Sequence, residues 1–231
     1  MAVRHHNLGQ LVRVLAIAAH PDDEVLGVGG TLAKHHLAGD DVRILIMGRG
    51  VAARKASETI MDPDLTVKAH AAAGVLGAYA TVLNFPDNRM DSIDLLDVIK
   101  TIEAELLIVH PDVVYTHHGG DLNVDHQITH RAVLTACRPL PGSSVKRILA
   151  WETPSSTEWW WGCYGFEPNW FVDVTGVPMQ KKELALEQYL SEMRPAPHPR
   201  SFASVRALAT WRGACAGVSL AEAFMLVREI A

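Results

Sequence analysis

After a polar first decapeptide the chain opens on an uninterrupted apolar run at residues 14–19 (VLAIAA). A run without polar alternation is what a strand covered on both faces carries. Residues 28–37 read as a helix that stops near Gly39, and residues 42–47 (VRILIM) predict a second strand. Residues 65–76 are Ala-rich, contain no Pro and end at Gly77, which predicts a helix with a glycine stop. A third strand is predicted at residues 81–85, closed by Pro86. Ile93, Leu96, Ile99, Ile102, Leu106 and Val109 share one helical face, and Pro111 ends that helix before a fourth strand at residues 113–116. A helix at residues 126–136 and a strand at residues 147–151 complete the series.

Strand–helix–strand repetition implies right-handed crossovers and an α/β fold, with a mostly parallel sheet and helices on both faces. In such sheets ligands sit beyond the carboxyl ends of the strands. The tail differs. It carries an aromatic cluster (Trp159, Trp160, Trp161), a charged amphipathic helix at residues 177–190 and another helix at residues 204–212. No linker, repeat or low-complexity tract interrupts the chain, so residues 1–231 are expected to form a single domain.

Composition narrows the function. Hydrophobic residues at 48% can fill a core without disulfides. Cys137, Cys163 and Cys215 are odd in number, lack CxxC spacing and have small or apolar neighbours, so they are expected to be buried thiols in a reducing, cytoplasmic setting. A net charge of −5 without a basic run speaks against a nucleic-acid partner. No apolar run is long enough to span a membrane, and residues 1–10 do not resemble a secretory signal.

The chemistry gathers at two strand ends. Where the first strand ends stands AAHPDDEVLGVGG, with one imidazole and three carboxylates in five residues, His20 to Glu24. Carboxylates crowded together repel unless a cation offsets them. Imidazole plus carboxylate is a common zinc donor set, and zinc lowers the pKa of a water it binds to about 7. Pro21 stiffens the turn, and two adjacent aspartates there can point differently. One of them, Asp23, can then ligate while the other, Asp22, accepts a proton. An acidic loop capping the next helix is the plainer explanation.

The fourth strand runs into THHGGDLNVDHQITHRAV, where His117, His118, His126 and His130 fall within fourteen residues. His126 and His130 share a helical face, so both could reach one metal, or one could ligate while the other packs. Polar clusters at the ends of two different strands together argue for a site more strongly than either does alone.

In AHPDDE and the later DH before a helix, the sequence resembles the PIG-L or LmbE-like family of zinc N-deacetylases, over most of its length. The resemblance implies a Rossmann-like three-layer sandwich and zinc held by His20, Asp23 and His126. It also implies Asp22 as general base and an N-acetylglucosamine-like sugar or glycoconjugate as substrate. Other divalent metals also suit such ligands. Many members carry a His three residues before the third ligand; here that position is Asn123, which can donate a hydrogen bond to an oxyanion but supplies no proton near neutral pH. The acid role then passes to His118, to His198 or back to protonated Asp22.

Further candidates are Arg89, just past the third strand, for a substrate phosphate or hydroxyl, and His198 and Arg200 in RPAPHPRS as one wall of the mouth. Solvated or rigid surface loops are the alternatives. The tryptophans suit a sugar ring or a contact in a homo-oligomer equally. Glu24 is expected to support its neighbours rather than ligate. Gly27, Gly29 and Gly30 fail the dinucleotide-binding pattern and fit close helix–sheet packing instead. The rival activities are an amidase for a larger acyl or thiol-conjugate substrate, and a sugar- or nucleotide-binding module without catalysis.

Overall fold

In the computed structural model, which describes residues 11–50, 65–162 and 164–231, seven strands form one sheet. The chain runs through β1 (Arg13–Ala18), α1 (Asp23–Leu37), β2 (Asp41–Gly48), α2 (Thr66–Leu76) and β3 (Tyr79–Phe85). It continues through α3 (Leu95–Val109), β4 (Val113–His117), α4 (Val124–Ala136) and β5 (Arg147–Trp151). The tail supplies β6 (Trp170–Asp173), α5 (Val177–Gln188), α6 (Phe202–Ala216) and β7 (Ala221–Glu229).

The strand order is β3-β2-β1-β4-β5-β7-β6. The first five are parallel, and β7 runs antiparallel between β5 and β6. The fold is thus an α/β sandwich with a mostly parallel sheet, as the repeating pattern predicted. The order reverses between β1 and β4, and a crevice opens beyond the carboxyl ends of strands at such a switch point.

The apolar run of β1 is covered on both faces. Val14, Ala16 and Ala18 enter one core with α1, α2, α5 and α6, while Leu15 and Ile17 enter another with α3 and α4. Gly27 allows α1 to lie directly on the sheet, since a Cβ there would fall 2.1 Å from the Trp151 ring. The glycine stop of α2 holds as read, with Gly77 at φ 79°. Two elements went unread: β6, and β7, whose partners lie far away in sequence. Helix α1 starts at Asp23, five residues before the predicted position, because the acidic turn itself enters the helix.

Cys137 is buried, but Cys215 is exposed near the end of α6, which corrects the expectation of a buried thiol there. Small neighbours in the sequence do not make a helix face a core face. Cys163 and residues 1–10 lie outside the described residues. Among the described residues no helix is long and apolar enough to cross a membrane.

Candidate metal centre and active site

His20 and the turn into α1 come from the end of β1, and Asp121 to His126 come from the loop after β4 and the first turn of α4. The two loops meet at the switch point. Asn123 caps α4, its side-chain oxygen accepting from the Asp125 amide at 2.8 Å. That cap places Asp125 and His126 in the first turn, directed at His20 and Asp23.

His126 Nε2 lies 3.1 Å from Asp23 Oδ2, and His20 Nδ1 lies 3.4 Å from the same oxygen. One ligand atom from each of these three residues falls within 4.8 Å of the others, a spacing that could hold a metal ion. Their remaining atoms are also engaged. His20 Nε2 faces Asp125 Oδ2 at 2.9 Å and Asp87 Oδ1 at 3.1 Å. His126 Nδ1 faces Asp121 Oδ1 at 3.0 Å, at ion-pair distance but outside hydrogen-bond geometry. A carboxylate behind each imidazole is the arrangement that fixes and strengthens metal-ligating histidines.

Electrostatics points the same way. The group His20, Asp87 and Asp125 is buried with its ligand atoms within 4.8 Å of one another. Two carboxylates that close repel by about 3 kcal/mol at an effective dielectric of about 20. Burial would push the His20 ring down, yet Asp125, Asp23 and Asp87 raise it to about 10. Burial also opposes charge on His126, and Asp23 and Asp121 still raise it to about 9. Asp121, where burial is outweighed by His126, Ser156 and Thr157, is held at about 2. The cluster demands positive charge, and a divalent cation on neutral rings would meet that demand. The donor set of two imidazoles and one carboxylate fits zinc.

His117 resolves differently. The Ala19 amide donates to its Nε2 at 2.9 Å, so that nitrogen is an acceptor and the proton sits on Nδ1, beside Thr153 Oγ1 at 3.2 Å. Burial and the neighbouring His126 hold it well below the usual range, so it is neutral. It stacks on His126 at 3.9 Å, with an interplanar angle of 15°, and braces that ring. His130 turns away, with Nδ1 2.7 Å from the His117 carbonyl. Of the pair His126 and His130, the first faces the cluster and the second packs.

Asp22 stands beside the triad without joining it. Its φ of 102° is a conformation that costs an ordinary residue on the order of 1–3 kcal/mol. Arg200 Nη1 donates to its Oδ2 at 3.0 Å, while Oδ1 has no hydrogen-bond partner among the described residues. Burial and Asp23 push this carboxyl well above the usual range, against the opposing pull of Arg200.

The cluster opens into a cavity of about 590 Å³, walled by Asp22, Asn88, Asn123, Ser155, Arg194 and Arg200 among others. Four non-glycine residues among those described have positive φ, and three of them (Asp22, Asn88, Ser155) line this cavity. Of the substrate-side candidates Asn123 and Arg200 reach the wall, Asn123 with its Nδ2 donating to Asn88 Oδ1 at 2.9 Å. Arg89 is exposed outside it. His118 Nε2 lies 3.2 Å from the Tyr164 carbonyl, and His198 meets Trp159 edge-on at 5.8 Å, its Nδ1 accepting from the Arg200 amide. Sequence reasoning missed Asp121, five residues before its partner His126, and Asp87 and Asp125, whose partner His20 is long-range. For Asp125 one signal was available, its place just before His126.

A family model described as GlcNAc-PI de-N-acetylase, PIG-L, matches residues 15–137, just over half of the chain and both loops of the cluster. The chain belongs to the PIG-L family. Within it, the chain is 33% identical over 186 residues to the uncharacterized deacetylase YaiS of Escherichia coli K12, covering 77% of this chain and 90% of that protein. It is 25% identical to the diacetylchitobiose deacetylase of Thermococcus kodakarensis, over 94% of this chain and 84% of the relative. The 4-carboxy-2-hydroxymuconate hydratase GalB of Pseudomonas putida KT2440 superposes with a TM-score of 0.76 at 21% identity, covering 96% and 98% of the two chains. That likeness is one of fold. A hydratase on the same scaffold means that the activity of this PIG-L chain must be argued from its site.

Proposed function

We propose that this PIG-L family protein is a metal-dependent hydrolase that removes an N-acetyl group from an amino-sugar substrate such as an N-acetylglucosamine derivative. His20, Asp23 and His126 hold the metal, zinc by preference of the donor set, and Asp22 is the general base. The observation that carries the reading is the division within the aspartate pair. Asp23 faces two imidazoles, while Asp22, one residue away, is turned by its positive φ to the cavity and Arg200.

A divalent cation in this triad supplies Lewis acidity toward the amide carbonyl and activates water for attack. The rest falls to the chain's own groups. Asp22 Oδ1 takes the proton of the attacking water while Oδ2 stays on Arg200, which keeps the carboxylate aimed. A carboxyl raised by burial holds that proton until the departing amine, the stronger base, takes it, so Asp22 can deliver it there, a step closed to Asn123. Asn123, already oriented by Asn88 and by its capping bond, offers its second amide N–H to the developing oxyanion. Ser155, Asn88 and Arg194 give the wall the polar character that a hydroxylated ring requires. The relative named for diacetylchitobiose favours an amino-sugar over a larger acyl conjugate.

Asp22→Asn tests this directly. Turnover on N-acetylglucosamine derivatives should fall by about 10²–10⁴-fold, with bound zinc staying near one per chain. Zinc lost in step with activity would make Asp22 a ligand. Unchanged turnover would remove it from the chemistry.

A further inference from the structure

The strained backbone of Asp22 raises the question of what holds it. Asp22 is the N-cap residue of α1, so its amide N–H stands ahead of the helical hydrogen-bond ladder and needs a partner of its own. Glu24 Oε2 accepts that N–H at 3.0 Å. The other oxygen, Oε1, accepts from the Tyr189 hydroxyl at 2.8 Å. Glu24 and Tyr189 are both fully buried, and neither lines the cavity. Glu24 therefore has no direct access to substrate, and both its oxygens are committed to holding other groups.

Tyr189 stands at the end of α5, and the segment that follows it supplies Ser191, Glu192, Arg194 and Arg200 to the cavity wall. The contacts close a ring. Asp22 is held through its backbone by Glu24, Glu24 by Tyr189, and the chain beyond Tyr189 returns as Arg200 to hold the Asp22 carboxylate. We propose that Glu24 and Tyr189 are positioning residues, which fix the backbone of Asp22 in its strained conformation and so aim its carboxylate at the reaction centre. The inference rests on Asp22 acting as the base. Without the acceptor, the Asp22 amide is left unpaired and φ can relax toward ordinary values, carrying the carboxylate with it. Gln in place of Glu24 preserves the clamp, since its carbonyl accepts from Asp22 and its amide can donate to the Tyr189 oxygen.

The experiment compares Glu24→Ala, Glu24→Gln and Tyr189→Phe in the zinc-loaded enzyme, reading kcat, KM, bound zinc and hydrogen exchange at the Asp22 amide. Misplacement by about an ångström costs roughly a hundredfold, so Glu24→Ala should lose about 30- to 100-fold in kcat. KM and zinc content should hold, and exchange at Asp22 should quicken. Glu24→Gln should recover most of kcat, and Tyr189→Phe should fall between them. If Glu24→Ala does not fold, Tyr189→Phe with its graded loss in kcat carries the test. Normal kcat in Tyr189→Phe and Glu24→Ala, or activity lost in proportion to zinc, would overturn the assignment. Failure of the base reading would appear separately, as full turnover in Asp22→Asn, while exchange at Asp22 would still report on the clamp.

Discussion

Helix α1 touches two buried charge clusters, and they differ in kind. At its first turn, five aspartates (Asp22, Asp23, Asp87, Asp121, Asp125) gather around His20, His126 and Arg200. In its middle, Lys182 of α5 and Glu222 of β7 form a lone pair at 2.7 Å. Lys182 also donates to the Leu26 carbonyl at 2.7 Å, and Glu222 accepts from the Gly30 and Thr31 amides at 2.9 and 2.7 Å. The pair thus occupies both ends of a helical rung, the Leu26 carbonyl and the Gly30 amide, and balances its own charge. The first cluster is in deficit of positive charge, borders a cavity and holds a residue with positive φ. Burial of charge alone is thus no mark of function; imbalance and strain beside open space are.

The widest separation between the two comes from removing one member of each. His126→Ala should abolish zinc binding and lower turnover on the order of ten-thousandfold, and it should also cost stability, since Asp23 and Asp121 are left buried without the imidazole between them. Metal analysis beside a thermal melt checks both halves. Lys182→Ala should touch stability alone. It strands a buried carboxylate and should cost about 3–5 kcal/mol in denaturant unfolding, with zinc content per folded chain unchanged. The double variant Lys182→Met, Glu222→Leu should recover much of that loss, because the helix can remake its own rung. A double variant as unstable as the single would mean that the pair does more than balance itself.

Asp125→Asn probes the boundary between support and ligation. Asp125 Oδ2 faces His20 and also accepts the Asn88 amide at 2.6 Å, and Oδ1 accepts the Met90 amide at 2.9 Å. Weakening such a partner should lower zinc affinity by about 10- to 100-fold, measured by competition with a chelator. Unchanged affinity would reduce Asp125 to an anchor for the loop after β3.

How much of this was legible in the sequence follows the range of the interactions. Strands β1 to β5 were readable because each is a local apolar run, and HPDDE and DH were readable because their donors are neighbours in the chain. Helix α1 was placed late because its opening residues are acidic, and acidity resembles a loop until the cap geometry is known. Strands β6 and β7 pair antiparallel with each other across some fifty residues of intervening chain. No local period announces that pairing. Asp87 and Asp125 were missed for the same reason, since each becomes a partner of His20 only through the crossover of the fold, while Asp121 lies five residues from His126 and was hidden by a loop whose path the sequence does not give. Arg89, His118 and His198 are the converse: each stands near a loop of the site in sequence, while its side chain faces solvent, the Tyr164 carbonyl or Trp159.

The smallest effect concerns Asn123, which holds a structural duty and a proposed chemical one in a single side chain. Its oxygen caps α4, and its nitrogen donates to Asn88 at the cavity wall. Asn123→Ala removes both and should cost about 1 kcal/mol of stability, typical of a lost cap, together with some turnover. Asn123→Asp separates them, because aspartate caps as well as asparagine but donates nothing. Its melting temperature should therefore match wild type, while kcat/KM falls, both from the missing donor and from a further carboxylate in a cluster already rich in them. If Asn123→Asp keeps full kcat/KM, the oxyanion role fails and Asn123 is a cap alone. A lowered kcat/KM at unchanged stability shows that the reaction needs a neutral amide here, as the oxyanion role requires, while the oxygen serves the helix.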